Sequence, residues 1–170
     1  MEKKSVSTKR FGVRGEHLVV IQIAIAALFV FIPVWPDLRN LEFYQQLVLI
    51  RWCALVTGML IGAAFGIGGS IGIRKYLTPL PYPVVDNRLV ITGVYSQVRH
   101  PLYSAQLFAA AGYTMFTLSL SHLLVTAIAL AFFNHKASIE EAWLTERHPE
   151  YREYAARAGK FVPMFGRLKK

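Results

Sequence analysis

Long apolar runs alternate with short polar stretches along this chain, and the runs have lengths typical of membrane-spanning helices. They cover residues 18–35, 47–73, 101–118 and 123–138, with a tight turn expected at residues 119–122. A helix needs about 20 apolar residues to cross the hydrocarbon core of a bilayer. The pattern predicts an all-α integral membrane protein with about four transmembrane helices, the last two forming an antiparallel hairpin.

The polar stretches between the runs predict the topology. Residues 1–17 are basic, residues 36–46 contain no basic cluster, and Arg74 and Lys75 follow the second run. Lys and Arg concentrate on the cytoplasmic side of membrane proteins, which places both termini in the cytoplasm. The first run lacks a small-residue cleavage site and is expected to stay as a span, as in a multi-pass bacterial inner-membrane protein. Arg51, near the outer end of the second run, is expected to reach the interface with its long side chain.

Glycines recur at helical spacing in the second run. Gly58, Gly62 and Gly66 are four residues apart and share one helical face, which lets a neighbouring backbone approach closely. The partner is either another helix of the same chain or a second copy. The segment GIGGSIG, residues 66–72, is not expected to be a dinucleotide-binding loop, because it follows a membrane run and not a strand.

The second half of the chain is expected to be organised by a proline-rich loop. Residues 76–88 contain three prolines and predict an extended loop that runs over the cytoplasmic face. The predicted organisation is a basic tail (1–17), a two-span hairpin (18–75), a core (76–163) and a basic C-terminal tail (164–170). Within residues 142–170 a C-terminal amphipathic helix is expected to cover the cytoplasmic surface with its aromatic and apolar side chains. These are Trp143, Leu144, Tyr151, Tyr154, Phe161 and Phe165.

Composition narrows the class of partner. Of the 170 residues, 54% are hydrophobic and the formal charge is +9, while the mean hydropathy is +0.38. The basic residues cluster at the ends of apolar runs, which favours a lipid bilayer as partner and no nucleic acid. Cys53 is the single cysteine, so the chain forms no intrachain disulfide and no thiolate metal cluster.

The candidate chemistry lies in the polar segment LVITGVYSQVRHPLY, residues 89–103, between two apolar runs. Pro101 suits the first position of a helix, so Arg99, His100 and Tyr103 are placed at the membrane-level mouth of that helix. Polar side chains at such a depth are costly and indicate a functional site. The predicted hairpin returns the fourth helix to the same end of the membrane. It therefore brings its polar residues, Lys136, Glu140 and Glu141, to this mouth.

Several kinds of chemistry fit such a cluster. It could hold a zwitterion, with a carboxylate for an amine and Arg99 or His100 for a carboxylate. A metal could bind His100 and Glu140, but no ligand pair stands at i,i+4 spacing. A Ser-His-Asp triad lacks an acidic partner near His100 in the sequence. In the simplest interpretation, Arg99 and His100 are only interfacial anchors.

The order of these motifs resembles a known family. LVITGVYSQVRHPLY, a long apolar hairpin, EExxL and YxxY follow one another as in the membrane methyltransferases related to isoprenylcysteine carboxyl methyltransferase and phospholipid N-methyltransferase. The resemblance covers roughly residues 77–163. It implies that S-adenosyl-L-methionine binds at the cytoplasmic mouth and that Glu140 receives its ammonium group. The cofactor residues implied in this way are Asn87, Arg88, Leu89, Val90, Tyr95, His100, Pro101, Leu102, Tyr103 and Glu140.

The resemblance also implies two catalytic residues, Lys136 and Arg99. Lys136 stands where the eukaryotic carboxyl methyltransferase has an arginine for the substrate carboxylate, and lysine cannot form the bidentate fork that arginine forms. Arg99 is expected to act as a structural or electrostatic support. Methyl transfer to a lipophilic or prenylated acceptor carboxylate is the favoured reaction, with transfer to a phospholipid amine or a thiol as the alternative.

Two other functions remain open at this point. A membrane reductase that uses NADPH would need a basic cluster for the cofactor phosphate, for which Arg74, Lys75 and Arg88 are candidates. A non-catalytic membrane scaffold would need none of the polar residues. The sequence does not fix the oligomeric state.

Overall fold

The described residues fold into helices joined by short connections. The computed structural model describes residues 15–74 and 89–168. The helices are α1 (Glu16–Phe31), α2 (Glu42–Gln46), α3 (Val48–Ile73), α4 (Pro101–Thr117), α5 (Leu120–Arg147) and α6 (Tyr151–Arg157), with a 3-10 turn at Gly93–Ser96. The described part contains no regular strand, and an isolated bridge joins Val98 to Gly159. The predicted loop 76–88 lies outside the described residues.

Two helices, α3 and α5, are long and apolar enough to cross a membrane, and α1 is a shorter apolar helix. Many of their large apolar side chains face outward, among them Leu49, Leu60 and Leu124. A soluble protein rarely exposes so many, since large contiguous apolar patches mark contact surfaces. The exposed apolar surface therefore indicates contact with lipid.

The ends of the helices differ from the predicted ends of the apolar runs. Helix α1 stops at Phe31, because the peptide before Pro33 is already extended. Ser119 caps α5, and its hydroxyl accepts a hydrogen bond from the backbone N–H of His122 at 3.3 Å. The predicted four-residue turn at 119–122 is therefore wrong, and the reversal is confined to Leu118 and Ser119.

Helix α5 also continues beyond its predicted end at residue 138, and that prediction was wrong. It runs unbroken from Leu120 to Arg147, because no Gly or Pro occurs before Pro149. Lys136, Glu140 and Glu141 consequently lie on one rigid element.

Helices α3 and α4 pack backbone to backbone along the glycine face. A Cβ added at Gly58 would lie 2.7 Å from the Phe108 carbonyl oxygen and 2.8 Å from the Gly112 Cα atom. One added at Gly62 would lie 2.9 Å from the Ala105 carbonyl oxygen. The prediction of close helix packing through this face is confirmed, and the partner is a helix of the same chain.

Arg51 does not extend to the interface as predicted. Only 7% of it is exposed. Its guanidinium donates to the carbonyl oxygens of Phe116 at 2.7 Å and Tyr44 at 3.1 Å, and also to the Tyr44 hydroxyl. These carbonyls lie near the ends of α2 and α4, where helices leave acceptors unpaired. Arg51 thus ties three helices together at this end of the molecule.

The contact between α3 and α4 can be tested with a matched pair of alanines. We expect Gly58→Ala to lower the free energy of unfolding by about 1–3 kcal/mol, since the new methyl group meets backbone atoms that cannot move aside. Gly66→Ala is the control, because its Cβ would meet the Ala105 Cβ at an ordinary 3.5 Å. Thermal unfolding of both variants in detergent measures the difference. Equal midpoints would contradict the packing described here.

Candidate functional site

The C-terminal segment pairs with the polar segment that precedes α4. The Arg99 backbone N–H donates to the Gly159 carbonyl oxygen at 2.8 Å, and the His100 N–H donates to that of Lys160 at 3.2 Å. In return, the Gly159 N–H donates to the Gln97 carbonyl oxygen at 2.9 Å. Residues 158–161 therefore form a wall beside the mouth of α4.

Arg99 holds this wall in place. Its Nη1 donates to the carbonyl oxygens of Ala155 at 3.0 Å and Ala158 at 2.6 Å, and its Nη2 donates to that of Gly166 at 3.0 Å. Its Nε donates to Glu141 Oε1 at 2.9 Å. All three guanidinium nitrogens bind the protein itself, which is consistent with the structural or electrostatic support expected of Arg99. A catalytic part for Arg99 stays a prediction.

His100 lies between two carboxylates. Its Nε2 is 2.9 Å from Glu141 Oε1, and its Nδ1 is 3.3 Å from Glu140 Oε2. An ionised carboxylate only accepts hydrogen bonds, so both contacts are hydrogen bonds when both ring nitrogens carry protons. Burial of the ring lowers the pKa of His100, but the hydrogen bonds that the ring donates to Glu140 and Glu141 outweigh this effect and set that pKa above its ordinary value. The folded protein therefore favours the protonated form of the ring.

Tyr103 joins the polar cluster to an aromatic one. Its hydroxyl donates to Glu140 Oε1. Its ring stacks on Phe133, with centroids 4.8 Å apart, and lies parallel to the ring of His100 at 5.5 Å. Phe161 of the wall contacts both rings edge-on or tilted, at 6.5 Å from Tyr103 and 6.0 Å from His100. Glu140 is thus oriented by two donors inside a mostly aromatic surround.

Lys136 lies close to the ring of Tyr103. Only 1% of it is exposed, and its Nζ is 5.3 Å from the centroid of the Tyr103 ring. The Nζ donates to Gln22 Oε1 at 2.7 Å, and the Gln22 amide donates to Gln106 Oε1 at 3.1 Å. Two glutamines on α1 and α4 therefore connect a buried cation to the exposed side of the helices.

The other described members of the predicted cofactor set pack against α3 or α6. Tyr95 is buried, and the Tyr154 hydroxyl donates to its carbonyl oxygen at 2.7 Å. Leu89 packs on the cluster of Tyr151 and Tyr154, and Val90 is half-buried. Pro101 and Leu102 pack against α3 near Gly69. Asn87 and Arg88 lie outside the described residues.

The structure brings together His100, Tyr103 and Glu140 in direct contact, with Lys136 one helical turn from Glu140. The sequence analysis did not predict that Gln22 belongs to the site, nor that Phe161 lies in the wall. Gln22 is a single polar residue in an apolar run, and that polarity was the signal available. Among the described residues no group of three His, Cys, Asp or Glu side chains could hold a metal ion.

The chemistry of this site follows from its balance of charges. Two carboxylates face the Arg99 guanidinium and the ring of His100, whose protonated form they favour, in a site shielded from bulk water. The side chain of Glu140 is 16% exposed, so a ligand can still approach it. A positively charged ligand group can accordingly bind Glu140 on its open side, while His100 and Tyr103 fix the carboxylate.

The charge of His100 predicts how stability depends on pH. Because its folded pKa lies above the ordinary 6.5, its contribution is complete below that value and is lost as the pH rises through the folded pKa. We expect the difference in melting temperature between wild type and His100→Gln to shrink from pH 6 towards higher pH.

Thermal unfolding of both proteins across this range measures the effect, with His135→Gln on the exposed face of α5 as control. If the difference in melting temperature between wild type and His100→Gln stays constant or grows with pH, a charged His100 is excluded.

Comparison with known proteins places the chain in a family. The sequence profile described as phospholipid methyltransferase matches residues 47–151, more than half of the chain. The cobalt-zinc-cadmium resistance protein CzcN of Cupriavidus metallidurans is 33% identical over 111 residues, 64% of this chain and 49% of that protein. The nickel-cobalt-cadmium resistance protein NccN of Alcaligenes xylosoxydans xylosoxydans is 28% identical over 153 residues, 88% of this chain and 63% of that protein. The chain spans about half the length of the first relative and less than two thirds of the second, and their names specify no reaction.

A solved structure gives the fold. The eukaryotic intramembrane Ras methyltransferase ICMT, an isoprenylcysteine carboxyl methyltransferase, matches with a TM-score of 0.66 at 17% identity, over 91% of this chain and 55% of that one. The predicted resemblance is confirmed: the described residues are helical with an ICMT-like fold, and two of the helices are long and apolar enough to cross a membrane. By the match over residues 47–151, the chain belongs to the phospholipid methyltransferase family.

Proposed function

We propose that the protein transfers a methyl group from S-adenosyl-L-methionine to a lipophilic or lipid-anchored acceptor in the membrane. One observation carries the proposal: Glu140 is held by His100 and Tyr103 at the mouth of α4 and keeps an approachable side. Membership in a family of membrane methyltransferases supports the reaction class.

The donor set fits this cofactor. A carboxylate fixed by two donors suits an α-ammonium group, and the rings of Tyr103 and Phe161 beside it suit the apolar parts of the molecule. In the proposed arrangement Glu140 binds the ammonium group, with His100 and Tyr103 fixing it. The rest of the predicted cofactor set completes the pocket: Asn87, Arg88, Leu89, Val90, Tyr95, Pro101 and Leu102.

The residues of the chain supply orientation and the exclusion of water. When bound, the cofactor provides a methyl group that is already activated by the positive charge on sulfur. An anionic acceptor then needs no strong general base, and alignment of the reactants accounts for most of the rate. Arg99 closes the C-terminal wall over the mouth, and Phe133 and Phe161 keep the surroundings of Tyr103 apolar.

Lys136 is proposed to select the acceptor. It places a cation one turn from Glu140, on the side that Gln22 and Gln106 connect to the exposed face of α1 and α4. A buried cation attracts a carboxylate or a thiolate and repels an ammonium group. We therefore favour the carboxylate of a prenylcysteine-like molecule, with a thiol next. The family description keeps a phospholipid amine as the alternative acceptor.

The proposal includes a topology. Helices α1 and α4 join α3 and α5 as spans, which gives four spans with both termini in the cytoplasm and the site at the cytoplasmic end. The basic residues at 1–17 and at the C-terminus support this orientation. The proposed location is a bacterial inner membrane, where the acceptor enters sideways from the bilayer.

Cofactor binding is tested by Glu140→Gln, which keeps the shape of the side chain and removes its charge. We expect the affinity for S-adenosylhomocysteine to fall by roughly tenfold to a hundredfold, as for a lost charged hydrogen bond. Isothermal calorimetry of the detergent-purified protein measures it. Glu146→Gln, exposed on the same helix, is the control.

Unchanged affinity in Glu140→Gln would remove that residue from the cofactor site. Folded wild-type protein that binds no S-adenosylhomocysteine would contradict the proposed function as a whole, and NADPH would then be the next ligand to titrate.

Acceptor selection is tested at Lys136. We expect Lys136→Met to lower turnover of a prenylated cysteine with a free carboxylate by roughly tenfold or more, since the charged partner is lost. The affinity for S-adenosylhomocysteine should stay within a few fold. Lys136→Arg is the matched control and should retain turnover, because it keeps the charge.

Assays with the prenylated cysteine, a prenyl thiol and phosphatidylethanolamine identify the acceptor class. Turnover of phosphatidylethanolamine alone, indifferent to the charge at Lys136, would overturn the preference for an anionic acceptor.

A further inference from the structure

The C-terminal segment ends in an apolar tip that the methyl-transfer site does not use. We define the C-terminal tip as residues 162–165, of sequence VPMF. Met164 is 71% exposed and Phe165 is 73% exposed, although Phe161 just before them is buried. In water, two large apolar side chains with this exposure would lose the free energy that burial gives, about 25 cal/mol per Å². The tip therefore lacks a partner within the described part of the chain.

The depth of the tip can be read from α5. With a rise of about 1.5 Å per residue, the length from Leu120 to Glu140 is about 30 Å, which equals the thickness of a hydrocarbon core. Glu140 accordingly lies near the boundary at the mouth of the site. Asn134, six residues before it, lies about 9 Å deeper along the helix.

The side chain of Lys160 reaches from the C-terminal segment down to that deeper level. The Lys160 Nζ donates to the Asn134 side-chain oxygen at 2.8 Å, to its carbonyl oxygen at 3.1 Å and to the Ser138 hydroxyl at 2.9 Å. On α4, the Ser104 hydroxyl donates to the Phe161 carbonyl oxygen at 2.7 Å, within the first turn. Helices α4 and α5 thus hold residues 160–161 beside the ends of the two helices, and not above these ends.

Backbone polar groups of the segment form hydrogen bonds within the protein, as an apolar environment requires. Non-helical backbone is tolerated at membrane depth only where its polar groups are satisfied by the protein. The Lys160 N–H donates to the Phe165 carbonyl oxygen at 2.8 Å, and the Phe165 N–H donates to that of Val162 at 3.1 Å. The Gly166 carbonyl oxygen accepts from Arg99 at 3.0 Å. The tip is therefore a closed turn, with its apolar side chains left on the outside.

Basic charge follows directly after the tip. Arg167 is exposed and follows Phe165 by two residues. An apolar patch with neighbouring Lys or Arg is the usual composition of segments that sit at the boundary between acyl chains and anionic headgroups. This composition fits a phospholipid leaflet better than it fits a purely apolar protein groove.

We propose that the C-terminal tip is a re-entrant membrane anchor, with Met164 and Phe165 among the upper acyl chains of the leaflet at the mouth of the site. Arg167 then faces the headgroups. The anchor is joined through Phe161 and the Arg99 hydrogen bonds to the wall of the site. This proposal does not depend on the methyl-transfer reaction.

Spin labelling tests the proposal directly, because Cys53 is the single cysteine. The parent is Cys53→Ala, and Phe165→Cys carries the label in phosphatidylcholine and phosphatidylglycerol vesicles. Oxygen concentrates in the bilayer, whereas a nickel chelate stays in water. We expect the power saturation of the label at position 165 to respond more to oxygen than to the nickel chelate. Glu153→Cys on α6 is the control for water, since Glu153 is exposed in an ion pair with Arg157. Leu60→Cys is the control for the lipid-facing surface.

The expected oxygen-to-nickel accessibility ratio at Phe165 is several-fold higher than that at Glu153 and lies below that at Leu60. A ratio equal to that at Glu153 would overturn the proposal, because the tip would then lie in water. Low accessibility to both reagents would also overturn it, since the tip would then be covered by protein. Because the Phe165 side chain is exposed, its replacement by cysteine is expected to leave the fold intact. The labelling result does not depend on S-adenosylhomocysteine binding, so it is separate from the test of the proposed function.

Discussion

The Arg99 guanidinium is the interaction on which the rest of the site depends. It lies almost fully buried and binds three backbone carbonyls of the C-terminal segment as well as Glu141. A buried cation is costly unless every donor is matched, and here the three guanidinium nitrogens all have acceptors. Removing Arg99 would leave those carbonyls and Glu141 without their donor, so the wall, the mouth of α4 and the end of α5 are stable only together.

That dependence explains why the polar cluster can exist at the edge of a membrane. Glu140 and Glu141 would be unfavourable side by side in an apolar surround. They are compatible because His100 lies between them and Arg99 pairs with Glu141. The two carboxylates then have separate tasks: Glu141 completes the scaffold, while Glu140 keeps a side open to a ligand. This division has a geometric cause, since neighbouring residues on a helix point about 100° apart.

The sequence predicted those features that are set by local pattern. The spacing of Gly58 and Gly62 predicted close helix packing, and the hairpin of α4 and α5 predicted the meeting of His100 and Glu140. Features that depend on distant partners could not be predicted in this way. Gln22 meets Lys136 across 114 positions, and nothing local in either run indicates it. Arg51 was misplaced because two of its acceptors are backbone carbonyls, which have no sequence signature.

The contact between Gly58 and Gly112 has a consequence for how this sequence can change over evolution. In most helix pairs a larger residue on one side can be accommodated by a smaller one opposite. Here both sides are already glycine, and the nearest atoms are backbone atoms. No single replacement on either helix can therefore be compensated on the other, and the two positions can diversify only if α3 and α4 move apart. Such a shift would also move Pro101, which packs near Gly69 on α3. The first turn of α4, which forms part of the site, would move with it.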